Sequence, residues 1–191
     1  MFCKRNVGIF IAGILLLVWA YFTYDVNKRF PNPKNISLKA GETTDYKGIK
    51  LSAGEEIEIY DYDGLVKQYP QLELVYDLME DEKEMAGDAY FFLAPVTFHN
   101  PTKQEWNMGK ESIIMWVLET GNTNNGVDYF VFSELNPDYS GTLEPGETME
   151  IKLPFSITKD YITMEKAMKW DKKIIYSYYP AKNFLYYPGE K

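Results

Sequence analysis

The strongest hydrophobic pattern in the chain lies near its N-terminus, where residues 7–24 carry no charged side chain. As a helix this run is roughly 27 Å long, at about 1.5 Å per residue, which is close to the thickness of a bilayer core. Lys4 and Arg5 precede the run, and the positive-inside rule then places the N-terminus in the cytoplasm. The pattern predicts a cytoplasmic tip and a transmembrane anchor over residues 1–24.

The same run also fits a cleavable signal peptide. Val18 and Ala20 stand where a signal peptidase inspects its substrate, so cleavage after Ala20 remains an alternative to a permanent anchor. Both interpretations predict export of the remaining chain. Residues 25–47 are rich in Pro, Asn, Lys and Thr and have little periodic hydrophobicity, which predicts a stalk.

Residues 48–191 alternate apolar and polar positions in short runs separated by turn residues, which is the pattern of β-strands. The expected strand runs are 49–60, broken by a turn at Ala53 and Gly54, then 90–98, 113–118, 128–132, 148–157 and 173–187. Pro95 and Pro154 each indicate a bulge or an edge strand. About seven short strands with turns between them predict an immunoglobulin-like Greek-key β-sandwich.

Two segments of this domain have the pattern of short helices. Asp61 is a cap residue and Pro70 a terminator, so the residues between them predict a helix. Apolar residues recur at helical spacing within residues 159–170. The charged run at residues 80–84 predicts a solvated loop. The predicted fold class is thus all-β, an immunoglobulin-like Greek-key β-sandwich with one N-terminal transmembrane helix and short helical inserts.

Composition narrows the classes of partner. The formal net charge is −8, and an acidic exterior repels phosphate backbones, which argues against a nucleic-acid partner. Cys3 is the only cysteine, so no disulfide can form within the chain. Export without disulfides is ordinary for Gram-positive bacteria. The aromatic fraction of 16% suits the half-buried surfaces of β-sheets.

Two motifs resemble a known group of domains. They are YFFLAPVTFHNPT at residues 90–102 and LEPGETMEIKLPF at residues 143–155. Together they resemble uncharacterised exported domains of Gram-positive bacteria, immunoglobulin-like and telokin-like, in a family of domains of unknown function. The resemblance covers roughly residues 48–187 and implies a fold and an extracytoplasmic location, but no catalytic residues. It differs from lipoprotein members of the group because the lipobox cysteine is missing.

The residues that carry common chemistry are too few or too dispersed for a catalytic or metal site. His99 is the only histidine, which does not suffice for a zinc site or a histidine-dependent nucleophile. Asp61 and Asp63 resemble the start of a calcium loop, but the remaining ligands are missing at the required spacing. We therefore expect no cofactor, no metal and no catalytic residue, and predict that the protein is not an enzyme.

The C-terminal segment offers a candidate interaction surface. Its aromatic residues are Tyr176, Tyr178, Tyr179, Tyr186 and Tyr187. If alternate rings stay exposed they form an adhesive surface, whereas in a strand half of them should pack inward. We expect a membrane-anchored, extracytoplasmic binding module of the cell envelope whose partner is an envelope protein or a glycan. The alternatives are an envelope hydrolase with paired carboxylates and a structural accessory subunit of a membrane complex.

Overall fold

The computed structural model describes residues 4–30, 34–77, 80–107, 113–178 and 181–190. Residues 1–34 and 35–191 form two separate compact units. The first unit contains helix α1 (Lys4–Arg29), and the second contains the folded domain. Cys3, the only cysteine, lies outside the described residues.

Helix α1 forms where the hydrophobic run predicts a helix, but the prediction that it crosses a membrane is wrong. Within the described part of the chain, no helix is long and apolar enough to span a bilayer.

The second unit is a β-sandwich with added helices. Its described strands are β1 (Lys34–Lys39), β2 (Thr43–Tyr46), β3 (Ile49–Ala53), β4 (Glu58–Asp61), β5 (Ala89–His99), β6 (Trp106–Asn107), β7 (Val117–Thr120), β8 (Thr123–Gly126), β9 (Thr142–Leu143), β10 (Thr148–Thr158), β11 (Lys172–Ser177) and β12 (Ala181–Tyr187). Its described helices are α2 (Tyr62–Gln68), α3 (Gln71–Asp77), α4 (Glu80–Gly87), α5 (Tyr129–Leu135) and α6 (Met164–Lys169).

Two five-stranded sheets form the sandwich. The first has the order β1-β12-β11-β7-β8. The second has the order β10-β5-β3-β2, with β4 also paired to β5, and β6 pairs with β9 in a separate ribbon. The immunoglobulin-like Greek-key connectivity stays a prediction.

Strand β5 is buried on both faces, which explains its nearly continuous apolar sequence. On one face Phe92, Val96 and Phe98 pack into the core between the sheets. On the other face Phe91 and Leu93 pack in a second cluster, together with buried residues of helices α2 to α5. The helices thus form a third layer over the second sheet.

The two prolines of the paired strands β5 and β10 have different environments. Pro154 lies on β10, the outer strand of its sheet, as its sequence context predicts. Pro95 lies inside the sheet, at the break where the partner of β5 changes from β3 to β4. Gly54 fills this break and donates its N–H to the Pro95 carbonyl oxygen at 2.8 Å. Because Pro95 lies at this break, its lack of an N–H removes no hydrogen bond to a neighbouring strand.

Several local predictions are confirmed. Helix α2 begins after Asp61, whose Oδ1 accepts the N–H of Gly64 at 2.9 Å. Strands β5 and β10 match the predicted runs closely, and α6 lies within the predicted helical segment. The turn at Ala53 and Gly54 separates β3 from β4.

Other segments differ from their local pattern. Residues 128–132 were expected to form a strand but begin helix α5, and the charged run at residues 80–84 belongs to helix α4. Of the expected strand at residues 113–118, only the last two residues enter β7. Residues 34–46 lie within the predicted stalk but contain two strands. Strand β1 belongs to the first sheet, and β2 belongs to the second.

Candidate functional site

Helix α5 forms one wall of the candidate site, and its own sequence defines both of its ends. Asp128 caps the N-terminus by accepting the N–H of Val131 at 3.2 Å. Asn136 ends the helix, and its backbone N–H donates to the Phe132 carbonyl oxygen at 3.0 Å. An aspartate cap accepts a hydrogen bond from an amide group of the first helical turn that has no partner within the helix. This favours a helix over the expected strand.

The segment around α5 is attached to the free edge of β10. The side chain of Asn125 donates to the Ser156 carbonyl oxygen, and the N–H of Asp128 donates to the Pro154 carbonyl oxygen at 2.9 Å. Unpaired strand edges are sites of unwanted association, and covering them is a common protection. These bonds hold α5 at a defined distance from the sheet.

A small cavity lies beside α5, and we call it the Tyr139 pocket. It is lined by Ile113, Ile114, Val127, Tyr129, Phe132, Ser133, Asn136, Pro137 and Tyr139. Its volume of about 120 Å³ is close to the ~150 Å³ of an apolar cavity that can hold one benzene ring. The pocket therefore has room for one side chain or one ring.

Aromatic packing shapes the pocket. The rings of Phe132 and Tyr139 meet edge to face, with centroids 5.1 Å apart. The rings of Tyr129 and Phe132 are stacked, with centroids 6.3 Å apart. Such contacts hold the three rings in fixed orientations, so the walls are preformed.

Tyr139, one of the lining residues, carries an unusual hydroxyl. It is buried, and no hydrogen-bond partner for it occurs in the described part of the chain. Burial raises the pKa of Tyr139 to about 12, and the neighbouring Tyr46 and Tyr129 add to the shift. An unpartnered buried hydroxyl destabilises the free protein.

The rim of the pocket is apolar and exposed. The lining residues Ile114 and Tyr129 are both exposed. The opening therefore presents apolar surface to the solvent.

The predicted tyrosine surface is divided by the fold. Tyr178 is exposed, while Tyr176 is half-buried and packs against Tyr46 and Trp116 at centroid distances of 5.5 and 5.4 Å. Tyr176 also lines a polar cavity together with Asp45. Tyr176 thus contributes to the core and to a cavity wall.

The remaining tyrosines of that prediction lie elsewhere. Tyr187 is buried, and burial raises its pKa. Tyr186 donates its hydroxyl to Oδ2 of Asp171 at 2.8 Å. Tyr179 lies outside the described residues. A binding role for these tyrosines stays a prediction.

The hydrolase hypothesis requires a carboxyl group with a raised pKa. Among the residues that the structure describes, the carboxyl groups with shifted pKa values are Glu58 and Asp171, and both pKa values are lowered. A general acid needs a raised pKa, so neither shift has the required direction. His99 contacts the hydroxyl of Thr148 through Nδ1 at 2.9 Å. No cluster of metal-ligating side chains occurs among the residues whose placement is described.

The charged cluster around Glu58 is saturated by its own members. Lys152 Nζ donates to Oε1 of Glu58 at 2.7 Å and also to the hydroxyl of Tyr69. Tyr60 and Tyr69 donate to Oε2 of Glu58 at 3.0 and 2.9 Å. Burial opposes ionisation of Glu58, but these hydrogen bonds outweigh it and lower its pKa. The cluster joins β4, β10 and the end of α2, which is a structural role.

The fold and site define a β-sandwich domain with a helical layer and a preformed apolar pocket. A family model described as Domain of unknown function (DUF5028) matches residues 22–182. The chain belongs to this family. The comparison with curated proteins found no match.

Several solved structures are similar to this chain. One is an uncharacterized β-sandwich protein from Clostridium difficile 630, with 10% identity, coverage of 81% of this chain and 95% of that chain, and a TM-score of 0.46. Another is a functionally unknown protein from Listeria monocytogenes EGD-e, with 13% identity, coverage of 78% and 82%, and a TM-score of 0.46. A conserved hypothetical protein from Bacillus anthracis has 10% identity, coverage of 72% and 87%, and a TM-score of 0.45.

These proteins come from Gram-positive bacteria, as the resemblance of the two sequence motifs implied. The telokin-like and exported character of this chain stays a prediction.

Sequence reasoning missed the Tyr139 pocket for an identifiable reason. The pattern at residues 128–132 predicts a strand, and in a strand Tyr129 and Phe132 would lie on opposite faces. In a helix, residues three apart share a face. The available signal was Asp128, a cap residue directly before the aromatic run.

Proposed function

We propose that this domain is an interaction module that holds one apolar side chain of a partner polypeptide in the Tyr139 pocket. The observation that carries the proposal is the preformed cavity of about 120 Å³, which is walled by the rings of Tyr129, Phe132 and Tyr139. Binding energy at interfaces concentrates in a few side chains that fill well-packed pockets. The pocket matches the size of one such anchor.

The chemistry of the pocket specifies the anchor. Phe132 and Tyr139 favour a flat or branched apolar group, since aromatic walls gain from close packing. A large apolar side chain of a partner polypeptide supplies such a group, with its backbone outside the pocket.

The charge of the protein indicates which residues should flank the apolar anchor residue in the partner. The protein has a net charge of −8, and Asp138, which lies between two lining residues in the sequence, is exposed. A partner segment with Arg or Lys next to the apolar residue complements this surface and associates faster. The proposed ligand is therefore a basic peptide with one large apolar residue.

A peptide series tests the proposal. The probes are synthetic peptides of sequence Ser-Gly-Arg-X-Arg-Gly-Ser, in which X is Phe, Leu, Met, Ala or Gly, titrated into the full-length protein and followed by NMR. We expect binding when X is large and apolar, and loss of binding when X is Ala or Gly. Equal affinity for all five peptides would show that charge alone attracts them and would overturn the proposal.

A matched pair of variants locates the binding. Ser133 is an exposed serine on the pocket wall, and Ser37 is an exposed serine on β1. Ser133→Trp should obstruct the pocket and weaken binding of the Phe peptide at least about tenfold, a loss typical of an anchor contact. Ser37→Trp should leave the affinity unchanged. Equal affinity in both variants would place the peptide elsewhere.

An envelope hydrolase is a weaker candidate for this domain. It requires convergent carboxylates with opposed pKa shifts, whereas the two shifted carboxyl pKa values of the described residues are both lowered. A structural accessory subunit would also use an apolar pocket, but its partner would be permanent. A slow dissociation rate of the partner, once it is known, would favour that alternative.

A further inference from the structure

Lys172 is a buried lysine that the Tyr139 pocket does not involve. It begins strand β11, and only 5% of its surface is exposed. Its Nζ donates to the Met168 carbonyl oxygen at 2.9 Å. Within the described part of the chain, no carboxylate forms an ion pair with it. One acceptor is therefore available for an ammonium group that has three donors.

The single acceptor of Lys172 is itself shared. The Met168 carbonyl oxygen also accepts the backbone N–H of Glu190 at 3.1 Å. A carbonyl oxygen has two lone pairs, so both are in use. Burial lowers the pKa of Lys172, and the charges of Glu190 and Asp171 oppose this shift only in part.

Lys172 lines a cavity of about 290 Å³, which we call the Lys172 cavity. This volume lies at the lower end of small-molecule sites, about 300–1,000 Å³. Ile57, Ile59 and Met168 contribute apolar wall, and Glu55, Glu56 and Glu190 contribute carboxylates. The three glutamates are exposed, so their charges face water at the opening.

The C-terminal segment is held in place as one wall of this cavity. Gly189 donates its N–H to Oδ1 of Asp171 at 3.0 Å. A Cβ atom on Gly189 would overlap the carbonyl group of Lys169, so only glycine permits this approach. Together with the hydrogen bond of the Glu190 N–H to the Met168 carbonyl oxygen, these contacts hold the backbone of Gly189 and Glu190 against residues 168–171.

We propose that the Lys172 cavity binds a small zwitterion, a free α-amino acid with an apolar side chain. The ligand carboxylate would supply the acceptors that Lys172 lacks, and the glutamates would accept from the ligand ammonium group. The apolar wall would hold the side chain. Three carboxylates against one lysine disfavour a simple anion, because its charge would not be balanced.

Isothermal titration calorimetry on the full-length protein tests this with L-leucine and two analogues. N-acetyl-L-leucine keeps the carboxylate and loses the ammonium charge, and L-leucinamide does the reverse. We expect L-leucine to bind, and each analogue to bind at least about tenfold more weakly, since each loses charge-assisted hydrogen bonds. If acetate or phosphate binds as tightly as L-leucine, the site is a simple anion site and the proposal is wrong.

A pair of neighbouring lysine variants provides the control. Lys172→Met keeps the length of the stem and removes the charge, so L-leucine binding should be lost. Lys173→Met changes the adjacent lysine, which lies over the Phe184 ring and does not line the cavity, and should leave binding unchanged. If Lys172→Met does not fold, the analogue series on the unmodified protein still decides. No binding of L-leucine or L-methionine at millimolar concentration would overturn the proposal.

Discussion

The side-chain amide of Asn136 pairs with the backbone of Lys152 as a neighbouring strand would. Its Nδ2 donates to the Lys152 carbonyl oxygen at 2.9 Å, and its Oδ1 accepts the Lys152 N–H at 2.8 Å. Asn136 also lines the Tyr139 pocket. One residue thus covers the edge of β10 and fixes the floor of the candidate site.

Replacing Asn136 should therefore destabilise the domain and expose a strand edge. Asn136→Ala removes two hydrogen bonds to Lys152, and we expect a loss of about 1–3 kcal/mol in the free energy of unfolding, measured with urea. We also expect faster aggregation by light scattering, because the edge becomes available to other chains. Asn124→Ala, at an exposed position on β8, is the control and should change little. Equal effects of the two substitutions would contradict the edge role.

Removing the Tyr139 hydroxyl should stabilise the free protein. Tyr139→Phe eliminates a buried hydroxyl without a described partner, so the free energy of unfolding should rise by up to about 1 kcal/mol. Tyr69→Phe is the contrasting variant, because that hydroxyl is hydrogen-bonded to Glu58 and Lys152, and it should destabilise. A destabilised Tyr139→Phe would show that the hydroxyl has a partner in solution.

The ion pair of Lys152 with Glu58 should be stronger than a typical surface pair. Each of the two side chains is 34% exposed, so solvent screens the pair only in part. We expect a coupling energy of about 1 kcal/mol in a double-mutant cycle. The control is the helical pair of Lys169 with Glu165, which is far more exposed and should show about 0.3–0.5 kcal/mol. A larger coupling in the control would refute the role assigned to the cluster.

The same cluster should make stability depend on acid pH. Burial opposes ionisation of Glu58, but its hydrogen bonds with Lys152, Tyr69 and Tyr60 lower its pKa from the ordinary 4.5. The stability that Glu58 contributes is therefore complete above pH 4.5 and is lost as the pH falls through the lower folded pKa. In this pH range, the free energy of unfolding of Glu58→Gln should fall less steeply with decreasing pH than that of the unmodified protein. Parallel curves for the two proteins would contradict the prediction.

Gly121 should tolerate no side chain. Its φ is +55°, and a Cβ atom there would overlap the six-membered ring of Trp170. Gly121→Ala should lower the free energy of unfolding by about 1–3 kcal/mol, from backbone strain and overlap. Gly126→Ala, with no atom within 4 Å of the added group, is the control and should change it by about 0.5 kcal/mol or less. Thermal unfolding of both variants checks the difference.

Elements with strong local signals were predictable from the sequence. Helix α2 has an aspartate cap and a proline terminator, and both act within a few residues of the chain. Strand β10 alternates apolar and polar positions because one of its faces packs on the core. In these elements the local pattern and the tertiary contacts agree.

The predictions failed where local patterns were ambiguous. The short aromatic run at residues 128–132 suits a strand or a helix, and the Asp128 cap together with docking on β10 favours the helix. Residues 34–46 have weak periodicity, but pairing with strands distant in sequence orders them as β1 and β2. The predicted membrane span is contradicted among the described residues.

The sequence alone determined the strand-rich class, the acidic surface and several helix boundaries, because these depend on composition and on contacts between near neighbours. Only the tertiary structure decided the candidate sites. The Tyr139 pocket combines residues from 113 to 139, and the Lys172 cavity joins Glu55 to Glu190. Pockets form where segments distant in sequence meet, and that arrangement depends on strand order and packing, which no local pattern records.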